Sequence, residues 1–239
     1  MIGQQDRFQH AMNQGHSAAW DENWGKAAEY YRQALQEYPD HPKALSSLAL
    51  ALYESQNYVD ALQTYQRAAE LSPNDPVPLE KVAGILERMG HLAPAVFAYM
   101  EAAEMYARSR EIEKAIENWS SVISLNPEHL PAHSRLAVVY ERLGRKPQAL
   151  TEYISIASLL QQTGEVQKAI QTIQHLQSIL PDSPEARQAL SMLQSGRALP
   201  KPRRPRSVTG PLVMAKVHEL EPPKGVQEEQ TRLDPIREA

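Results

Sequence analysis

Residues 45–73 read LSSLALALYESQNYVDALQTYQRAAELSP. Two apolar stripes lie in this stretch. Leu45, Leu48, Ala49 and Leu52 follow the i, i+3, i+4, i+7 spacing of one helix face. Ala61, Tyr65 and Ala68 follow i, i+4, i+7, and Pro73 stands five residues after Ala68. Proline stops one helix and is well tolerated in the first turn of the next. The stretch therefore predicts a helical hairpin closed by a proline turn. Its alanines have a physical reason, because two helix axes approach closely only where a side chain is small. The tyrosine fills the space beside that contact.

The second stripe recurs along the chain. Its copies are Ala27, Tyr31, Ala34; Ala95, Tyr99, Ala102; Ala115, Trp119, Val122; Ala149, Tyr153, Ile156; and Ala169, Ile173, Leu176. Pro39, Pro127 and Pro181 follow three of these copies as Pro73 follows Ala68. The first stripe recurs as Leu79, Val82, Ala83, Leu86 and as Leu136, Ala137, Tyr140. In the opening helix Ala11, Gln14, Gly15, Ala18 make a weaker stripe. That end is expected to be the least stable, since a terminal repeat has one neighbour.

This pattern resembles the tetratricopeptide repeat (TPR) family, in which a small residue in the first helix is followed by an Ala, an aromatic and a closing Pro in the second. The resemblance covers residues 8–183. It implies an all-α fold, a TPR-like helical-hairpin solenoid of about eleven helices. It also implies an extended concave surface lined by off-stripe residues of the first helices. On that basis the candidate partner-binding groove comprises Met12, His16, Trp20, Leu50, Tyr53, Gly84, Glu87, Arg88, Met100 and Glu104. Some family members grip a C-terminal carboxylate with Lys, Arg and Asn from successive first helices. The matching places here hold Met12, Ser46 and Glu80, then His16, Leu50 and Gly84, so that clamp is absent.

The phase of the copies is uneven. Ala27, Ala61 and Ala95 are spaced by 34 residues, the family period, whereas Ala95 to Ala115 and Ala149 to Ala169 are steps of 20. Residues 76–129 and 130–183 thus form a 54-residue super-repeat with shared Glu87-Arg88 and Glu141-Arg142, Gly90 and Gly144, Tyr99 and Tyr153. A step of 20 leaves no room for a full hairpin. The helices at 92–108 and 146–161 are therefore expected to serve twice, as second helix of one unit and first of the next.

Residues 1–196 form the expected solenoid, closed by a helix from Pro184 with Ala189, Leu190 and Leu193 facing inward. They carry 16 Lys/Arg against 23 Asp/Glu, while residues 197–239 carry 9 against 6. The acidic body argues against a broad nucleic-acid face. Residues 197–239 read as a mostly disordered tail, proline-rich and basic at first, with Lys201, Arg203, Arg204 and Arg206. Within the tail, Leu212, Val213, Met214, Val217 and Leu220 interrupt the polar composition as a candidate docking motif. A purely solvating tail would gain nothing from them.

Apolar residues at 42% and charged residues at 23% allow an ordinary core. The absence of cysteine excludes disulfides and thiolate chemistry. No secretory leader is expected, and the sequence shows no apolar run of about 18 residues, no glycine-rich phosphate loop and no zinc signature. His129 and His133 are four apart with Pro131 between them, and solvated turn histidines are the better reading than a metal pair. Glu87 and Glu141 read as members of a solvated helix face rather than an acid/base pair. Trp119 belongs to the core, Trp24 to a hairpin turn, and Trp20 divides between core and partner contact. No catalytic activity, cofactor or metal is expected. The sequence reads as a cytoplasmic scaffold or adaptor for one or more proteins and leaves a homo-oligomer open. The alternatives are nucleic-acid or anionic-surface binding through the basic tail and a non-catalytic regulatory subunit of an enzyme complex.

Overall fold

The two stripes of residues 45–73 become two helices joined by a turn in which Gln56 adopts φ +62°. The computed structural model describes residues 3–203, and eleven helices lie among them. They are α1 (Gln4–Trp20), α2 (Trp24–Glu37), α3 (Pro42–Glu54), α4 (Tyr58–Leu71), α5 (Pro76–Arg88), α6 (Leu92–Arg108), α7 (Ile112–Leu125), α8 (Leu130–Arg142), α9 (Lys146–Gln162), α10 (Val166–Ile179) and α11 (Pro184–Gln194). There is no strand among the described residues. None of their helices is long and apolar enough to cross a membrane.

Two kinds of turn generate this order. In the first, one residue takes the left-handed conformation: Glu22, Gln56, Gly90, Arg110, Gly144, Gly164 and Gly196 all have φ between +57° and +83°. The next N–H then bonds a carbonyl in the last turn of the helix, as Asn57 to Leu52 at 2.9 Å and His91 to Leu86 at 2.8 Å. The first six of these residues stand five before the six repeat alanines, so the backbone carries the same 34- and 20-residue phase as the side chains. In the second kind, the residue before proline leaves the helical conformation: Tyr38, Ser72, Asn126 and Leu180 have φ of −131° or −132°. A side chain then caps the next helix, as His41 Nδ1 and His129 Nδ1 do in accepting from Ala44 and Ala132 N–H at 3.2 Å.

Both α6 and α9 are flanked by turns of the first kind, their prolines Pro94 and Pro147 fall within the first turn, and each runs 17 residues. Helix α9 serves twice, as the step of 20 predicts. Helix α9 packs on α8, on α10 and more lightly on α11. That demand explains its burial, which spans Ala149, Glu152, Tyr153 and every residue from Ser155 to Leu160. Helix α6 packs on α7, and its Tyr99 hydroxyl donates to Glu87 Oε2 of α5 at 2.8 Å. Tyr153 donates to Glu141 in the same way. The two carboxylates are thus structural acceptors, which corrects the reading of a merely solvated face.

The chain forms two compact units, residues 3–85 and 86–203. In the first, consecutive helices α1 to α4 pack pairwise, and in the second α6 to α11 do so. All six repeat alanines are fully buried, and the large residue four positions on is 7% exposed or less in every copy. In α1 the buried face is wider than its sequence stripe: Phe8, Ala11, Met12, Gly15, Ala18 and Ala19. Gly15 is required there, because a Cβ would lie 2.5 Å from Tyr31 Cε1 of α2.

Two contrasts test this packing. Ala61→Leu and Ala149→Leu should each destabilise by about 1–3 kcal/mol in thermal or urea unfolding, because a closed helix contact cannot admit the larger side chain. Gly15→Ala should destabilise despite alanine's better helix propensity, whereas Gly25→Ala, which meets nothing within 4 Å, should stabilise by up to about 1 kcal/mol. Equal effects at the two glycines would refute the close approach of α1 and α2.

Candidate partner-binding surfaces

The ten groove residues expected from sequence are divided by the fold. Met12 and Tyr53 are each 6% exposed, and Gly84 is buried, so these three offer a partner almost no surface. Met12 falls within the widened core face of α1, and Tyr53 packs edge-on to Tyr58 with ring centroids 5.4 Å apart. His16 is half-buried, tilted against the Tyr31 ring at 5.7 Å. Trp20 is 45% exposed and Leu50 half-buried on the first unit. On the second unit Arg88 is exposed and Met100 half-buried. There Glu87 is held by Tyr99, and Glu104 accepts from Arg135 Nε at 2.7 Å.

The first unit carries a cleft the sequence reading did not anticipate. It lies between α2 and α4 over α3, has a volume of about 380 Å³, and is lined by Leu35, Pro39, Leu45, Leu48, Gln63, Thr64 and Arg67. Leu45 and Leu48 form a buried apolar floor. Arg67 pairs with Asp40. The reading missed the cleft because it sought partner contacts on first helices, whereas Leu35, Gln63, Thr64 and Arg67 belong to second helices.

On the second unit Phe97 is 70% exposed, beside Leu92 at 45% on the same helix. The equivalent repeat positions hold Glu29, Gln63, Glu117, Thr151 and Gln171. An aromatic where five copies are polar was a signal available in the sequence.

The tetratricopeptide repeat family model matches residues 12–76 and 100–158, just over half of the chain. The chain belongs to the tetratricopeptide repeat family. Similar solved structures include a MamA protein at 17% identity, covering 79% of this chain and 91% of that one with TM-score 0.40. A double mutant of MamA RS-1 is also 17% identical, covering 68% and 98% with TM-score 0.39. Pseudomonas aeruginosa PilF is 15% identical, covering 82% and 100% with TM-score 0.39. No curated protein sequence matches the chain.

Tetratricopeptide repeats permit a position-by-position comparison inside the chain. Ala61 and Ala149 are equivalent, so Pro39, Asp40, Leu45, Thr64 and Arg67 of the first unit correspond to Pro127, Glu128, His133, Glu152 and Ser155 of the second. Where the first unit has its apolar cleft, the second has a sealed polar pair. His133 is 3% exposed and Glu152 7%. His133 Nδ1 lies 2.5 Å from Glu152 Oε2, and Nε2 lies 2.9 Å from the Pro127 carbonyl oxygen. Both partners are acceptors, so the imidazolium, which donates from both nitrogens, satisfies them. His133 is therefore not a solvated turn histidine, and His129 serves as a helix cap. Among the described residues no group of three His, Asp or Glu is placed to hold a metal.

The basic tail is described only as far as Arg203, so Arg204, Arg206 and the motif Leu212, Val213, Met214, Val217 and Leu220 lie outside the described residues. Lys201 reaches Glu128 Oε1 at 3.7 Å, and Arg203 is exposed. Leu199 is 6% exposed and packs in the core of α9, α10 and α11.

Burial pulls the His133 imidazole toward its neutral form, but the bond to Glu152, the bond to Pro127 and the carboxylate's charge outweigh it, and its pKa is raised above 6.5. Stability from this pair is therefore fully present below the unfolded pKa and lost as pH rises through the folded one. Between pH 6 and 9 the melting temperature of the parent should fall. His133→Leu alone should cost about 3–5 kcal/mol by stranding Glu152. The double variant His133→Leu/Glu152→Thr, which copies positions 45 and 64, should fold and show a flatter profile. A parent profile as flat as the double variant's would refute the protonated pair.

Proposed function

We propose that the chain is a protein-interaction scaffold or adaptor with no catalytic step and no cofactor. The observation that carries this reading is Phe97, 70% exposed beside Leu92 at 45% where the five equivalent repeat positions are polar. A solvated surface gains nothing from such a pair, and an apolar side chain of a partner would bury it. The cleft over α3 supplies a second contact on the other unit, with Trp20, Leu50, Arg88, Met100 and Glu104 as further contact residues. The reading places the partner on protein rather than nucleic acid. Lys201 of the basic segment is already turned to Glu128. A regulatory subunit of an enzyme complex is one form such a scaffold takes, and the cytoplasm is the proposed setting.

Affinity purification with the parent, Thr64→Trp and Phe97→Glu tests the proposal. Thr64→Trp fills the cleft, and Phe97→Glu replaces an exposed aromatic by the residue type of its repeat equivalents. Both should change stability by no more than about 0.5 kcal/mol, as surface substitutions do. Partners retained by the parent should be lost from at least one variant. An unchanged set of bound proteins with both variants would overturn the assignment of these surfaces.

A further inference from the structure

Residues 197–201 are held in a way that reads as recognition of an extended peptide. The Gln161 side-chain amide donates through Nε2 to the Arg197 carbonyl at 2.9 Å and accepts through Oε1 from the Leu199 N–H at 2.8 Å. Both bonds go to main chain, so they are indifferent to the side chains of the segment they hold. Specificity comes from alternate side chains. Leu199 enters the apolar core beside Leu160 and Leu193, and Lys201 turns to Glu128 at the α7–α8 turn. Ala198 and Pro200, between them, are exposed. Main-chain bonds together with alternating side-chain contacts are how extended peptides are read on protein surfaces.

The hold is slight. It consists of one buried side chain, two bonds to a neutral amide, and an ion pair at 3.7 Å whose side chains are 73% and 59% exposed. Helix α11 already ends in its own turn at Gly196, where the Arg197 N–H returns to the Met192 carbonyl at 2.8 Å. What keeps residues 197–201 in place is their tether to α11, which sets a high effective concentration at the seat.

We propose that this seat is a binding site for an extended segment of a partner protein carrying a leucine and, two residues later, a lysine. The chain's own Leu199-Pro200-Lys201 occupies it as an intramolecular competitor. The proposal rests on the scaffold reading and gives it an autoinhibited site with stated ligand chemistry.

The probe is a fluorescein-labelled peptide with the sequence of residues 196–203, titrated by anisotropy into the full chain. Leu199→Asp expels the chain's own segment and leaves Gln161 and Glu128 in place. The peptide should bind this variant on the order of tenfold or more tightly than the parent, since the tethered competitor is gone. Replacing the peptide's leucine by alanine should abolish binding, and Glu128→Lys in the chain should weaken it, with recovery when the peptide's lysine is changed to glutamate. Equal binding to parent and Leu199→Asp would mark a basic peptide on an acidic body and overturn the proposal. So would a folded variant that ignores the peptide, or a variant that does not fold, which would make Leu199 part of the permanent core. Hydrogen exchange on the parent gives an independent reading. The Leu199 amide should exchange faster than the amides of Ala157 and Ala189, and exchange only through global unfolding would overturn the proposal. A dimer of the parent abolished by Leu199→Asp would assign the seat to a second copy instead. No partner enters these measurements, so their failure leaves the tests at Thr64 and Phe97 independent.

Discussion

The structure depends on one contact, the approach of two helices at an alanine with no space to spare. Ala27, Ala61, Ala95, Ala115, Ala149 and Ala169 are all fully buried. Each stands five residues after a backbone reversal in the left-handed conformation. The turn fixes where the second helix begins, and the alanine fixes how near it comes. The large residue four positions later then fills the gap that the small one opens, as Tyr31 does over Gly15. Because each contact involves only helices close in sequence, the same solution recurs, with variation confined to positions the contact does not use.

That separation explains how much the sequence revealed. Positions under the constraint were legible, including the 20-residue steps, because a helix that must serve twice cannot contain a proline turn. Positions outside it were not. Met12 and Tyr53 lie off the periodic stripe yet are covered by neighbouring side chains, and periodicity says nothing of cover. Leu45 and Leu48 belong to the stripe and were rightly core, but whether a floor of leucines is roofed depends on second-helix residues 88 positions apart in equivalent copies: Thr64 in one, Glu152 in the other. His133 shows the same limit. Its spacing from His129 suggested a pair, while its partner, Glu152, comes from the next helix.

The two equivalent places show what freedom this leaves. One copy carries leucine and threonine and stays open, and the other carries histidine and glutamate and closes on itself. The scaffold tolerates both because neither choice touches the alanine contact. Binding surfaces in such a chain can therefore diverge copy by copy without disturbing the frame.

The sharing of α9 has a consequence of parity. Successive helices reverse direction, so the edge at which a chain leaves a stack depends on whether the intervening helices number odd or even. Four helices, α8 to α11, separate the turn at Glu128 from the exit at Gly196, and an even number returns the chain to the edge it left. Two complete hairpins in place of α8, α9 and α10 would have made the number five and sent Leu199 and Lys201 out at the opposite edge, beyond reach of Gln161 and Glu128. One helix used twice thus decides at which rim of the second unit residues 197–201 lie.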